Sequence, residues 1–146
     1  MEPDLQRLFD EAAVRDVAAR YCWALDTLDR PLLETVFLSD ATARLGNAHL
    51  LDGIDAIWGR IHAALGSLTV SQHLIGSQLV EVTGDTATQQ CYLHAQHVRE
   101  GTEGGTQYIV AGTYIDRLER TPAGWRIRHR DLTVQWTSGN VRVVRP

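Results

Sequence analysis

Few side chains in this sequence are equipped for acid–base chemistry, and most of them fall in short, distinctive stretches. His73 stands in "SQHLIGS" (residues 71–77), where a polar triplet runs into the apolar pair Leu74 and Ile75. An imidazole there can act as a general base; a surface histidine or a hydrogen-bonded core histidine is the competing reading for any lone histidine in a strand. In "CYLHAQH" (91–97), alternation puts Cys91, Leu93, Ala95 and His97 on one face and Tyr92, His94 and Gln96 on the other. His97 thus ends an apolar row, as a polar group in a pocket wall would, or as a structural histidine would. "YIVAGTYID" (108–116) sets Tyr108, Val110, Gly112 and Tyr114 on a common face. Turned inward, that face would have Gly112 leaving room for a ligand and Tyr114 offering a hydroxyl on a large apolar body, unless it is simply a core tyrosine. The histidines lie far apart in the chain and no HExxH spacing occurs, so no metal and no cofactor is expected.

These residues need elements to hold them. Leu5, Leu8, Phe9, Ala12, Val14, Val17, Ala18, Tyr21, Cys22 and Leu25 recur at spacings of three and four, predicting one amphipathic helix that ends near Leu28. "DRPLLETVF" follows, with Asp29 as cap and Pro31 in the first turn of a short second helix. "DATARLG" reads as a short strand, and "DGIDAIWGRIHAALG" as a third helix bearing Ile54, Ile57, Trp58, Ile61, Ala64 and Leu65. From residue 69 the period changes to two. Four long strands are predicted, separated by turns at Thr83–Asp85, Gly101–Gly105 and Thr121–Gly124. Helices followed by a strand meander give an α+β architecture, one domain over 1–146 with the sheet wrapped around the helices.

Composition narrows the partners. A chain of 146 residues carries 14 basic and 18 acidic residues, net charge −4, with no basic stripe for phosphates, so nucleic acid is not an expected partner. The acidic, amphipathic start is unlike a signal peptide, no apolar run is long enough to span a membrane, and Cys22 and Cys91 read as small buried side chains. A cytoplasmic protein is expected.

The order of elements, with "RYCWALDTLD", "SQHLIG", "AGTYIDRLERTPAGWRI" and the closing Trp136, resembles the SnoaL-like family of the nuclear transport factor 2-like superfamily, over about residues 8–137. Scytalone dehydratase and hexachlorocyclohexane dehydrochlorinase belong to that group. The resemblance implies a cone-shaped α+β barrel, open at one end to a small hydrophobic molecule, and a homodimer or homotrimer. It also implies a His–Asp pair, which segment matching places on His73 and Asp26. Asp26 follows the apolar residues Tyr21, Cys22 and Leu25, and a carboxylate there needs a partner, because an unpaired buried charge is costly. A histidine second to the pair in scytalone dehydratase matches His97. By the same resemblance Arg130, Leu132 and Val134 face inward on the last strand; a guanidinium there needs an anion, either Asp26 or an enolate on the substrate, or else forms a salt bridge at the rim. Trp58, Tyr21, Tyr114 and Gly112 complete the expected substrate-binding set.

Departures bear on the substrate. Where scytalone dehydratase has two tyrosines that orient a water, this chain has Leu25 and Gly46, and where it has serine and asparagine on a later strand, this chain has Gly112 and Tyr114. Where the dehydrochlorinase has a lysine five residues before its aspartate, this chain has Tyr21. A phenol there favours dehydration, isomerisation or cyclisation over halide loss. The expected activity is that of an acid–base lyase or isomerase, of dehydratase or polyketide-cyclase type. The alternative is a ligand-binding or assembly module, like the small subunits of ring-hydroxylating dioxygenases.

Overall fold

Helix α1 (Pro3–Asp26) opens the fold, and its buried stripe is shorter than the apolar spacing predicts. The face turned to the sheet runs through Val14, Val17, Ala18, Tyr21, Cys22 and Leu25, whereas Leu5, Leu8 and Phe9 are about half exposed. In the first turns it is Asp10 that is buried, because Arg120 and Trp125 reach it from the sheet. The structure is a computed structural model and describes residues 2–145. Leu28, with φ of 49°, turns the chain after α1, and the Asp29 carboxylate then caps α2 (Arg30–Glu34) by accepting from the Leu32 N–H at 2.9 Å. Strand β1 (Phe37–Leu45) is longer than "DATARLG", and a two-residue strand β2 (Leu51–Asp52), absent from the sequence reading, pairs with it before α3 (Ile54–Leu65).

The four long strands fall where the period-two pattern puts them: β3 (Val70–Thr83), β4 (Thr86–Val98), β5 (Gln107–Thr121) and β6 (Gly124–Gly139). They form a six-stranded sheet in the order β2-β1-β6-β5-β4-β3, antiparallel except where β1 runs parallel to β6. The protein is α+β, with α1 laid against β3, β4 and β6 on the inner face of the sheet.

Three β-bulges among the long strands reset which residues face the inner side of the sheet. Ser77 and Gln78 together oppose the stretch between Tyr92 and Gln90; Arg128 is an extra residue between Ile127 and His129; Gln135 is an extra residue between Val134 and Trp136. Each bulge bends its strand and switches which parity of residue points inward. On β6 this lets Ile127 and Arg130 both be buried although their parities differ. Strand β4 has no bulge, and its alternation is unbroken: Cys91, Leu93, Ala95 and His97 are buried, Tyr92 and His94 exposed.

Gly112 departs from its expected part. A Cβ built there would lie 2.2 Å from the Thr133 carbonyl oxygen, so the glycine makes way for the bulged backbone of β6 and not for a ligand. No helix among the described residues is long and apolar enough to cross a membrane.

Candidate active site

The last turn of α1 delivers Asp26 to the start of β3, and there the carboxylate is held from three directions. One oxygen lies 2.6 Å from His73 Nδ1 and accepts from the Ser71 hydroxyl at 3.1 Å, and the other accepts from the His73 backbone N–H at 2.9 Å. A helix C-terminus is a poor place for an acid. Burial pushes the Asp26 carboxyl up, but hydrogen bonds from the His73 ring, the His73 backbone N–H and the Ser71 hydroxyl outweigh it and hold the acid below the ordinary carboxylate range. Since an ionised carboxylate only accepts, His73 donates through Nδ1, which leaves the lone pair of the neutral ring on Nε2. Ser71 is an addition to the site residues expected from sequence, and its signal is that it shares a strand face with His73 two residues on.

His73 lies in the wall of a cavity of about 300 Å³. His97 stands beside it, the two rings perpendicular with centres 5.6 Å apart. His97 Nδ1 lies 3.1 Å from the Tyr108 carbonyl oxygen, to which it donates, so its Nε2 is also bare. Burial, followed by the neighbouring His73, pushes the His97 imidazolium down to about 4, and the ring is neutral at physiological pH. Tyr21 and Tyr114 line the same cavity, edge to face with centres 5.6 Å apart. Burial raises both phenols above their ordinary range, so they keep their protons and are available as donors. Leu25, Leu93, Ala95, Val110 and Leu132 supply the apolar walls, and the exposed residues Asn47, Arg60 and Arg145 stand where the cavity opens.

Two expected substrate contacts fall elsewhere. Trp58 does not line the cavity: the inner face of α3 is Ile61, Ala64 and Leu65, and Trp58 lies half-buried beside His62. Arg130 is fully buried behind the cavity and meets neither Asp26, a substrate position nor the rim. It forms a two-pronged pair with Asp116, both contacts 2.7 Å, and its Cζ lies 4.1 and 4.0 Å from the ring centres of Tyr21 and Tyr114. Its Nη1 has no hydrogen-bond partner. The arginine therefore fixes the two phenols from behind through cation–π contact. Cys22 and Cys91 are buried, their thiols pushed up to about 12 and about 11 by burial, too high for a thiolate at neutral pH. Among the described residues no three His, Cys, Asp or Glu side chains cluster as a metal site would.

Comparison with known proteins places this geometry in context. The SnoaL-like domain matches residues 6–131. The uncharacterized protein Rv2910c of Mycobacterium tuberculosis is 31% identical over 126 residues, 83% of this chain and 82% of that protein. Among solved structures, the Kfla4162 protein of Kribbella flavida superposes with a TM-score of 0.88 at 21% identity, covering 96% of this chain and 99% of that one. The hexachlorocyclohexane dehydrochlorinase LinA-type3 of Novosphingobium barchaimii superposes with a TM-score of 0.81 at 16% identity, covering 94% of each chain. At these identities the two structures share the fold.

Proposed function

Because this chain belongs to the SnoaL-like domain family and sets a carboxylate-held histidine in the wall of an apolar cavity, we propose that it is a cofactor-independent lyase or isomerase of small hydrophobic, oxygenated molecules. The observation that carries the reading is the 2.6 Å contact between Asp26 and His73 Nδ1, which leaves Nε2 as a base. His73 Nε2 takes a proton from carbon next to a carbonyl or beside a leaving group, and Asp26 holds the ring and stabilises the imidazolium that forms. The electron pair left on carbon forms the new double bond. Tyr21 and Tyr114, kept protonated by burial, donate to the oxygen on which charge develops. In a dehydration the C–O bond then breaks and the oxygen leaves as water, protonated by the imidazolium or a phenol; in an isomerisation the imidazolium returns its proton to another carbon. His97, neutral and with Nε2 bare, accepts from a substrate hydroxyl.

Mass spectrometry of a ligand copurified with the protein supplies the compound for the test. His73→Gln is expected to keep affinity for it within a few fold while lowering turnover by ~10²–10⁴, the usual cost of removing a general base. Equal turnover by both proteins would remove His73 from the chemistry.

A further inference from the structure

The lining of the cavity changes character at its opening. Its walls are apolar and its inner polar groups are histidines and tyrosines, yet two guanidinium side chains, Arg60 and Arg145, line it at the solvent end. Several arginines of this chain are matched, Arg120 by Asp10 and Asp85, Arg128 by Asp40 and Glu119, and Arg130 by Asp116, and Arg7, Arg44, Arg99 and Arg117 are not, but of the arginines only Arg60 and Arg145 line this cavity among the described residues. Among the described residues neither Arg60 nor Arg145 forms an ion pair or a side-chain hydrogen bond, whereas Arg142, close by in the chain, points to Glu103. The sequence of α3 leaves Arg60 without a local partner, since the residues three and four away are Ala56, Ile57, Ala63 and Ala64. An apolar neutral ligand has no use for such groups, while a carboxylate meets a guanidinium in a geometry that fits both. The chain as a whole is acidic, net −4, so the positive charge at this opening is local.

We propose that the molecule received by this cavity carries a carboxylate, held at the mouth by Arg60 and Arg145 while its apolar body extends toward His73. The inference rests on the cavity being the substrate site and names the class of substrate: a small hydrophobic acid.

The test uses a nearly isosteric pair, 2-naphthoate and its uncharged amide 2-naphthamide, titrated calorimetrically into the full chain. The acid is expected to bind several-fold to about tenfold more tightly at low ionic strength, with the preference shrinking as salt is raised. Arg60→Gln combined with Arg145→Gln should abolish the preference, bringing the acid down to the affinity of the amide. Ala95→Trp, which fills the cavity, should remove binding of both and so locate them. Equal affinity of acid and amide, a preference that survives the double substitution, or no binding of either at millimolar concentration would overturn the inference. The two readings fail separately: an acid preference without any His73-dependent turnover sinks the lyase reading alone, and His73-dependent turnover of neutral compounds without an acid preference sinks this one alone.

Discussion

Helix α1 presents two aspartates to the sheet, one near each end, and their surroundings differ in kind. Asp10 is 5% exposed and receives both terminal nitrogens of Arg120 at 2.6 and 2.9 Å, the Trp125 indole N–H at 3.1 Å and the Gln6 amide at 3.3 Å. Asp26 receives an imidazole, a hydroxyl and a backbone N–H. Arg120 is itself spread over the Trp125 ring, 4.6 Å from its centre, and no pH in the working range discharges it. The hydrogen bonds from Arg120 outweigh burial and hold the Asp10 carboxyl well below the ordinary range. At that end every partner is permanent, and the carboxylate serves as a fastener between α1 and the β5–β6 hairpin. At the other end the partner is a base whose second nitrogen remains free beside a cavity. The two acids thus differ in what holds them: a fixed cation makes a joint of Asp10, and an imidazole beside open space makes Asp26, on the proposed reading, part of a reagent.

Exchanging each acid for its amide breaks the comparison open. Asp26→Asn should lower turnover most, by ~10² or more, because the neutral amide no longer stabilises the imidazolium, while the protein stays folded by circular dichroism. Asp10→Asn should do the reverse. The amide keeps the shape but loses the charge-assisted hydrogen bonds from Arg120 and Trp125, while the partly exposed Arg120 retains Asp85, so the change should cost about 1–3 kcal/mol in urea unfolding, with the turnover number of the folded protein unchanged. If Asp10→Asn slowed catalysis as much as Asp26→Asn did, the division between joint and reagent would be wrong.

A pH-dependent effect, confined to acid, sharpens the same contrast. His97 is held down to about 4, against about 6.5 for a free histidine, so between these values the unfolded chain binds a proton that the folded chain does not. Stability should therefore fall as pH drops from about 6.5 to about 4, by up to roughly 3 kcal/mol, and be restored on raising the pH. Asp10 and Asp26, both lowered, keep their contribution through that window and lose it only below the ordinary carboxylate range. Urea midpoints at pH 7, 5.5 and 4.5 should show the slope in wild type and a flatter line in His97→Gln; equal slopes would show that the burden of protonation lies elsewhere.

The sequence made the site partly legible, and the pattern of success has a physical cause. Strand β4 carries no bulge, so simple alternation in "CYLHAQH" correctly separates the buried His97 from the exposed His94. Asp26 and His73 were matched through the family resemblance, and the structure brings them into contact. Alternation does not carry through β6, because the extra residues Arg128 and Gln135 reset the inward parity, and bulges depend on pairing with a distant strand. The need for glycine at 112 is hidden for the same reason: the crowding that calls for it comes from Thr133 on the neighbouring strand. The partner of Arg130 is Asp116, one strand earlier, and no local spacing announces it. The apolar spacing at the start of α1 misled because the helix there meets Arg120 and Trp125, an encounter decided by tertiary structure.

The buried Arg130–Asp116 pair also limits how this sequence can drift. Both side chains are wholly inside, and losing either one strands the other's charge, at a cost of about 3–5 kcal/mol. A domain whose entire stability is on the order of 5–15 kcal/mol has little room for such a step. Replacement by an apolar pair of similar volume would be tolerated, yet every single-substitution route to it passes through a half-charged core. Arginine and aspartate at these positions thus behave as one heritable unit, exchanged together or retained together.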